Sequence, residues 1–294
     1  MTTSWPTTPE PFDLDGRVAV ITGAANGLGL AIAGHCARHR MKLVLADIDG
    51  EALHRAGASL AAETDCVWVR TDVRRRDDVN AVAERAYQAF GRVDVLFNNA
   101  GVVTTKPLME TSVHDWQWMI EVNLWSVIHG IAAFVPRMID GGHEGRIVNT
   151  ASAAGFLAEA DLGAYSVSKH GVVALSEILH KELRDRRSLL GVTIIAPAFI
   201  STGITNCERV RPAELNDNGQ TSAAVDAARA RLEKAVRSGK LTPEDVAAMV
   251  LDGVRTRRLY VFSHDKIRAG IEARMDEIYA ALDYRRDQRR LESQ

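Results

Sequence analysis

The feature that most constrains the fold of this chain is a glycine-rich turn that follows a short apolar run. Residues 18–21 are all apolar, as in a strand that is buried on both faces. The turn itself runs Gly23-Ala24-Ala25-Asn26-Gly27-Leu28-Gly29. Glycines at a strand–helix turn let backbone amides approach a pyrophosphate, and the N-terminus of the next helix adds partial positive charge. The stretch therefore predicts a cradle for a dinucleotide phosphate, although glycine turns of other kinds are also common.

Strand-like and helix-like stretches alternate along the chain after this turn. The strand candidates lie near residues 42–46, 67–73, 93–97, 145–150, 191–196 and 259–262. The helix candidates between them lie near residues 30–40, 50–62, 76–90, 112–139, 165–187 and 243–256. Such alternation is typical of one α/β unit. We expect a single doubly wound Rossmann-type domain over residues 14–262, with a mainly parallel seven-stranded sheet and helices on both faces.

An acidic residue, Asp47, ends the second strand candidate. In a dinucleotide-binding fold, a carboxylate about 20 residues past the glycine motif accepts both hydroxyls of the adenine ribose. The same carboxylate repels a 2′-phosphate. Asp47 is therefore predicted to bind the ribose of NAD, and the alternative is an ordinary acid at the end of a strand.

Tyr165 and Lys169 form a candidate pair for proton transfer. If a helix begins here, their spacing places both side chains on one face, with Cβ atoms about 5–6 Å apart. A free tyrosine titrates at about pH 10, and a fixed cation nearby favours the phenolate and lowers the pKa. The alternative interpretation is an exposed pair on a helix surface.

Further motifs extend this pattern in a fixed order along the chain. The spacing Gly-x3-Gly-x-Gly after Thr22 is followed by Asn-Asn-Ala-Gly at residues 98–101, and then by Ser152, Tyr165 and Lys169. Each motif stands near the end of a strand candidate. In these residues and their order the chain closely resembles the short-chain dehydrogenase/reductase family.

This resemblance covers about residues 14–262 and implies an oxidoreductase with a Ser-Tyr-Lys-Asn catalytic set. Tyr165 would exchange a proton with the substrate oxygen, and Ser152 would position that oxygen. Lys169 would bind the nicotinamide ribose and lower the pKa of the tyrosine. The backbone carbonyl of Asn123 would hold a water beside that lysine. Because the nicotinamide ring carries the redox chemistry, no metal is expected.

The resemblance also implies further contacts to the cofactor. Asp72 would lie beside the adenine amino group, and Val73 would pack near the ring. The walls of the site would include Asn99, Ala100, Gly101, Pro197, Ile200 and Thr202. Asp72 and Thr202 could equally cap local helices, and Asn123 could be a solvent-facing or locally bonded residue. Ala198 stands where the family usually has glycine, so the fine geometry of the nicotinamide pocket is not carried over.

The choice of cofactor depends on the charges near Asp47. No arginine or lysine occupies residues 24–28 or directly follows Asp47, where family members that use NADP usually place one. The sequence therefore predicts NAD. Two rivals remain open: a family member that uses NADP(H) or acts on steroids or acyl-carrier thioesters, and a nucleotide-binding scaffold or sensor without turnover. A sensor would need none of Ser152, Tyr165 and Lys169.

Residues 203–240 form an unusually long connection, which is typical of a functional lid or a disordered segment. Apolar residues recur at helical spacing within it, at Val225, Ala228, Leu232 and Val236. We therefore predict a helical lid over the substrate rather than a linker. Residues 153–157 and Phe199 offer a mostly apolar lining, which favours a hydrophobic or aromatic secondary alcohol and its ketone. A weaker similarity indicates bacterial members of the family that oxidise benzylic alcohols of lignin-derived aryl ethers.

The two ends of the chain are predicted to lie outside this domain. Residues 1–13 contain three prolines, four threonines and one serine, and are predicted to form a flexible arm. Residues 263–294 carry apolar residues at helical spacing among many charges, which predicts an amphipathic helical tail that needs a surface. The broad apolar stripes of the long helix candidates at 112–139 and 165–187 predict a homodimer or homotetramer.

The composition of the chain argues against some classes of partner and indicates a cellular compartment. A net charge of −2 and a pI near 6.5 offer no basic surface for nucleic acid. No uncharged apolar run reaches about 18 residues, so no membrane span is predicted. Residues 1–11 lack a basic region followed by an apolar one, which argues against a signal peptide. Three widely separated cysteines fit a reduced, cytoplasmic protein without a disulfide framework or a metal site.

Overall fold

The predicted sheet is confirmed, and it is parallel throughout. The computed structural model describes residues 10–216 and 222–292. In this part of the chain seven strands form one sheet in the order β3-β2-β1-β4-β5-β6-β7. The strands are β1 (Val18–Thr22), β2 (Lys42–Asp47), β3 (Cys66–Arg70), β4 (Val95–Asn98), β5 (Gly145–Thr150), β6 (Leu190–Ala196) and β7 (Tyr260–Phe262). The strand order reverses between β1 and β4, and a crevice at such a point is where open α/β sheets bind ligands.

Helices cover both faces of the sheet, as the sequence predicts. They are α1 (Gly27–Arg38), α2 (Gly50–Leu60), α3 (Arg76–Phe90), α4 (Val113–Ile120), α5 (Ser126–Asp140), α6 (Gly163–Asp185), α7 (Ala223–Arg237), α8 (Pro243–Arg255) and α9 (Ile267–Glu292). One apolar cluster joins α1, α2 and α8 to the sheet, and the other joins α3, α5 and α6 to it. The two layers of core hold the strands rigidly between them.

Strand register brings the motif residues to one edge of the sheet. Ile21 of β1 pairs with Leu45 of β2 on one side and with Phe97 of β4 on the other. Because all strands run the same way, the residues that follow them meet at the carboxyl edge. Thus Asp47 and the residues after Asn98 lie at the same edge as the glycine turn.

The helix predicted over residues 112–139 is interrupted in the structure. A π-helical turn, Glu121–Trp125, separates α4 from α5. Asn123 lies in that turn and is fully buried, so the alternative of a solvent-facing side chain is wrong. Its Oδ1 accepts from the Val102 amide at 2.9 Å, and its Nδ2 donates to the Val102 carbonyl at 3.0 Å. These bonds offset the cost of about 0.5–0.7 kcal/mol that an asparagine adds inside a helix.

Of the predicted N-terminal arm, residues 1–9 lie outside the described residues. Phe12, which was assigned to that arm, is fully buried. Its amide donates to the Arg255 carbonyl at 2.7 Å, and the Arg17 guanidinium carbon lies 4.8 Å from its ring centroid. Tertiary packing thus supplies a site for this one aromatic side chain, while Glu10, Pro11 and Asp13 stay exposed.

The connection at residues 203–240 has its own structure. Two 3-10 helices, Gly203–Val210 and Ala213–Leu215, precede α7, which buries three of the four predicted apolar positions, Val225, Ala228 and Val236. Residues 217–221 of this connection lie outside the described residues.

The C-terminal tail is one long helix, α9. Near its start, the Arg274 guanidinium donates to the Phe156 carbonyl at 2.8 Å. Farther along, large apolar side chains are exposed at Ile278, Tyr279, Leu282 and Tyr284. The distal half of the tail thus presents an apolar surface to solvent in the single chain.

One helical stretch, Val113–Asp140, is long and apolar enough by composition to cross a membrane, with a mean hydropathy of 1.4. Half of the 18-residue part of this stretch that meets the apolar criterion is buried inside the protein. Core helices of globular domains commonly pass the same test, and this one is broken by the π-helical turn. The stretch is weak evidence for a membrane span.

Candidate active site

A cavity of about 780 Å³ opens at the carboxyl edge of the sheet. It is lined by the glycine turn, by Asp47 at one end and by Ser152, Tyr165 and Lys169 deeper inside. The remaining predicted cofactor residues line the same cavity: Asn26, Leu28, Asp72, Val73, Asn99, Ala100, Gly101, Pro197, Ile200 and Thr202. Asn123 is the one predicted site residue that is not in the lining, since it lies buried behind the wall.

The glycine turn is shaped so that only glycine fits at two of its positions. Gly23 has a φ of +67°, and a Cβ there would lie 2.9 Å from the Ala100 Cα. A Cβ on Gly29 would lie 2.0 Å from the Gly23 carbonyl oxygen. At the start of α1, Asn26 makes no side-chain capping bond, so the first amides of the helix have no partner in that residue. This backbone hollow fits the pyrophosphate of a dinucleotide.

Asp47 lies beside the cradle with its carboxylate held in place. Its Oδ2 accepts from the Ala25 amide at 2.9 Å, and its Oδ1 accepts from the Asp49 amide at 3.0 Å. Burial raises the pKa of this carboxyl, and the two backbone hydrogen bonds oppose that shift. Each oxygen keeps acceptor capacity for a ribose hydroxyl, since a carboxylate oxygen has two lone pairs.

The Asn-Asn-Ala-Gly motif joins three strand ends. The Asn99 side chain donates to the Thr22 carbonyl at 3.0 Å, and the Asn99 amide donates to the Thr22 hydroxyl at 3.0 Å. From β5, the Thr150 hydroxyl donates to Asn99 Oδ1 at 3.3 Å. Asn99 thus closes the wall of the cavity between β1, β4 and β5.

Asp72 does not cap the following helix. The N-cap residue of α3 is Arg75, which makes no side-chain capping bond, so that alternative is wrong. The Asp72 carboxylate instead binds the Arg74 guanidinium, with Nη2 at 2.7 Å from Oδ2. Thr202 does cap locally: its hydroxyl accepts from the Ile204 amide at 3.4 Å while the residue also lines the cavity.

The predicted catalytic side chains meet deep in the cavity. Tyr165 lies in the first turn of α6, and Lys169 Nζ lies 5.7 Å from the centroid of its ring. Ser152 hydrogen-bonds the Tyr165 side chain, and its hydroxyl also lies 3.4 Å from the Pro197 carbonyl oxygen. Lys169 Nζ donates to the Thr150 carbonyl at 2.9 Å. A phenol, a hydroxyl and an ammonium group are thus assembled within one buried site.

Burial dominates the electrostatics of this site. It raises the pKa of the Tyr165 phenol, and the hydrogen bond with Ser152 opposes that shift. It also lowers the pKa of Lys169 to about 8. In the single chain, desolvation of the Tyr165 phenol outweighs the hydrogen bond with Ser152, so its pKa lies above the usual value. The lowering of this pKa by Lys169 stays a prediction.

Asn123 is linked to the catalytic helix through Ser168. Its Nδ2 donates to the Ser168 hydroxyl at 3.1 Å, and that hydroxyl donates to the Tyr165 carbonyl at 2.7 Å. The side chain therefore ties the π-helical turn to the first turn of α6. The predicted water at its backbone carbonyl stays a prediction.

The sequence reasoning missed several residues at the cavity, among them Arg74, Cys207 and Arg209. The buried Cys207 exchanges hydrogen bonds with the backbone of Val103, at 3.4 Å from its amide and 3.1 Å from its carbonyl. Arg209 reaches the edge of the cavity near Asp47. Nothing in the spacing of these residues could have indicated their position, because each depends on how distant segments pack.

The first part of the 203–240 connection is anchored by a buried ion pair. Arg211 is 4% exposed and lies 2.8 Å from the fully buried Asp115 carboxylate. Lys106 binds the other oxygen of Asp115 at 2.6 Å. By contrast, α7 is tied down by the exposed pair of Arg231 and Asp161, 2.5 Å apart. The ion pair that holds the connection is thus buried near residue 211 and exposed along α7, where the helix is also held by its buried apolar side chains.

Comparison with known proteins agrees with this geometry. Residues 17–213 match the family model of the short chain dehydrogenases. The chain belongs to this family. The prediction made from the motifs is thereby confirmed.

Individual members of the family are similar over nearly the whole chain. A short chain dehydrogenase/reductase from Burkholderia phymatum, solved in complex with NAD, is 44% identical with a TM-score of 0.90, over 92% of this chain and 96% of that one. The 1-deoxy-11-beta-hydroxypentalenate dehydrogenase of Streptomyces exfoliatus is 32% identical over 90% of both proteins. A C alpha-dehydrogenase of a Sphingobium species is 32% identical over 90% of this chain and 86% of the relative. These relatives support an oxidoreductase.

Proposed function

We propose that the protein is an NAD(H)-dependent dehydrogenase that interconverts a hydrophobic or aromatic secondary alcohol and its ketone. The observation that carries this proposal is that one cavity contains both the glycine cradle with Asp47 and the group of Ser152, Tyr165 and Lys169. The cofactor site and the catalytic side chains therefore share one cavity. The solved relative from Burkholderia phymatum, which is described in complex with NAD, supports the same cofactor.

In the proposed mechanism Tyr165 moves the proton. It accepts the alcohol proton during oxidation and returns it to the ketone oxygen during reduction. Ser152 donates a hydrogen bond to the reacting oxygen and holds it beside the phenol. Bound NAD supplies the hydride acceptor. Because burial raises the pKa of Tyr165, the free protein holds the protonated phenol at neutral pH, which suits ketone reduction.

Lys169 and Asn123 have supporting roles in this proposal. One N–H of the Lys169 ammonium is used by the Thr150 carbonyl, so the other two remain for the ribose hydroxyls of the cofactor. Asn123 positions the first turn of α6 through Ser168, and its carbonyl holds the relay water that the family resemblance implies.

The substrate class rests on the lining of the inner cavity. Val103, Leu157, Phe199, Ile204 and Leu232 contribute apolar surface there. An apolar body bound against these side chains would exclude water from the reacting oxygen. The C alpha-dehydrogenase among the relatives supports benzylic alcohols as the first substrates to test.

We also propose that α7 is the moving part of a lid, while the segment around Arg211 stays fixed. The helix lines the cavity with Ala228, Leu232 and Val236. Its polar attachment through Arg231 is exposed, and exposed pairs contribute only about 0–1 kcal/mol. A bound substrate would add apolar contact to this helix and favour the closed state.

Assembly and location complete the proposal. Trp125, Val167 and Ile178 expose large apolar side chains along the long helices, which supports association into a homodimer or homotetramer. A cytoplasmic enzyme without nucleic acid or membrane partners fits the composition. Light scattering at micromolar concentration should show a multiple of the chain mass, and a monomer would contradict the assembly.

The deciding experiment is a substrate screen. The purified protein is incubated with NAD at alkaline pH and a panel of aryl and alicyclic secondary alcohols, and NADH is followed by its absorbance. We expect turnover with bulky apolar alcohols, and a kcat lower by about 10³-fold in the Tyr165→Phe variant. NADH binding without turnover of any alcohol or ketone would favour a scaffold or sensor, and turnover only with NADP would favour the rival cofactor.

A further inference from the structure

The segment that follows Thr202 crosses the cofactor half of the cavity. A Cβ on Gly27 would lie 3.6 Å from the Thr202 Cβ, so the segment begins against the phosphate cradle. The helix Gly203–Val210 then leads to Arg209, whose Nη1 lies 2.7 Å from the Asp49 carboxylate. The segment therefore spans the cavity from the pyrophosphate site to the predicted ribose site.

Asp49 connects Arg209 directly to the ribose carboxylate. The Asp49 amide donates to Asp47 Oδ1 at 3.0 Å, and its side chain caps α2 by accepting from the Ala52 amide at 3.0 Å. Arg209 itself lines the cavity together with Asp47. The Arg209 side chain is 43% exposed and the Asp49 side chain is 24% exposed, so water and ligands can reach the pair.

We propose that Arg209 is a cofactor-selectivity residue, held by Asp49 so that its side chain closes over the ribose end of NAD(H) and its guanidinium is kept from a 2′-phosphate. This inference rests on the proposed function. No arginine or lysine directly follows Asp47, where it could contact the 2′ position of the ribose. The proposal assigns that contact to Arg209, which lies 160 residues after Asp49.

The chemistry of arginine supports this role. A guanidinium presents planar pairs of donors that match a phosphate, and an arginine near the ribose is what accommodates a 2′-phosphate in dinucleotide folds. Here one Nη atom is occupied by Asp49, and Asp47 and Asp49 together place two carboxylates at this edge. The cation is therefore present but neutralised, which retains the preference for a free 2′-hydroxyl.

The clasp formed by Arg209 and Asp49 is weak enough to open during turnover. A half-exposed pair of this kind changes an equilibrium by about two- to fivefold. While the pair is closed, the Arg209 side chain covers the ribose end and hinders release of the cofactor from the cradle. Loss of the pair should therefore speed dissociation of the nucleotide by a similar factor.

The test uses Asp49→Asn, which keeps the helix cap because asparagine caps as well as aspartate. Affinities for NADH and NADPH are measured by titrating nicotinamide fluorescence, and NADH dissociation is measured by stopped flow. We expect Asp49→Asn to tighten NADPH relative to NADH by about tenfold, since the freed guanidinium gains a charged hydrogen bond. NADH should dissociate about two- to fivefold faster.

The double variant Asp49→Asn with Arg209→Gln separates the guanidinium from simple loss of negative charge. It should lose the gain in NADPH affinity and keep the faster NADH dissociation. Arg237→Gln is the control, because it removes one arginine charge, as Arg209→Gln does, but from α7. Arg237 is 81% exposed there and pairs with Glu233. The control should change neither the ratio of NADPH to NADH affinity nor the rate of NADH dissociation.

Each contrary result has a defined meaning. An equal NADPH gain in the double variant would overturn the role of Arg209 and assign the gain to lost charge or to Arg70, which donates to the nearby Ile48 carbonyl. Unchanged NADH dissociation in Asp49→Asn would overturn the clasp. Wild-type protein that binds NADH while all variants behave alike would overturn this inference alone, whereas wild-type protein that binds neither nucleotide would overturn the proposed function as well.

Discussion

The two halves of the cavity are built in different ways. The cofactor half is formed by strand ends whose side chains bond the backbone of neighbouring strands, as Asn99 does with Thr22. The substrate half is formed by a long connection that is held through ion pairs, one buried at Arg211 and one exposed at Arg231. A rigid half suits a cofactor of constant shape, and an adjustable half suits substrates that differ between relatives.

Loss of the proton donor should abolish chemistry without disturbing either half. Tyr165→Phe keeps the ring in its buried site but removes the transferable proton, so kcat should fall by about 10³-fold. NADH affinity, measured by fluorescence titration, should stay within about twofold of the wild type. Near-normal turnover in this variant would remove Tyr165 from the mechanism.

A change confined to the cofactor half should alter cofactor choice alone. Asp47→Ala with Ile48→Arg removes a repulsive carboxylate and adds a partner for the 2′-phosphate, so the ratio of kcat/KM for NADP over NAD should rise by about 100-fold. The KM of the alcohol, measured with saturating cofactor, serves as the control and should change little. A wild-type protein that already prefers NADP would show that the ribose argument is wrong.

The pH dependence of the reaction rates should follow the protonation of Tyr165, which lies between the cofactor half and the substrate half of the cavity. Alcohol oxidation needs the phenolate, and burial raises the pKa of Tyr165. The kcat/KM of alcohol oxidation should therefore increase by up to about tenfold per pH unit through the neutral and mildly alkaline range. Ketone reduction should be favoured at lower pH. Initial rates in both directions between about pH 6 and 10 test this. Oxidation that is fastest at acidic pH would contradict the assignment.

A change confined to the substrate half should alter KM alone. Leu232 lines the cavity from α7, so Leu232→Asp should raise the KM of a bulky apolar alcohol by about tenfold, because a charge replaces apolar contact surface. NADH affinity should be unchanged. Ala230→Asp, at an exposed position of the same helix, adds the same charge and should leave KM near the wild-type value.

Limited proteolysis provides a structural readout of the same half. Cleavage within or beside α7 should slow when NAD and an unreactive substrate analogue are bound, and Leu232→Asp should weaken that protection. Identical protease resistance with and without ligands, together with an unchanged KM in Leu232→Asp, would make the connection a fixed insert and the lid hypothesis would fail.

The sequence by itself determined the order of strands and helices, the glycine cradle, the position of Asp47 and the pairing of Tyr165 with Lys169. These features depend on backbone sterics and on spacing within a few residues, and the parallel register then carries every strand end to one edge. Local chemistry of this kind can be read directly from the chain.

The tertiary structure decided the rest. It buried Asn123 in a π-helical turn, packed Phe12 into the core and raised the pKa of Tyr165 through desolvation. It also brought Arg209 to Asp49 across 160 residues. Burial and long-range ion pairs depend on which distant segments come into contact, and no local spacing encodes that contact, because desolvation and Coulomb attraction act through space rather than along the chain.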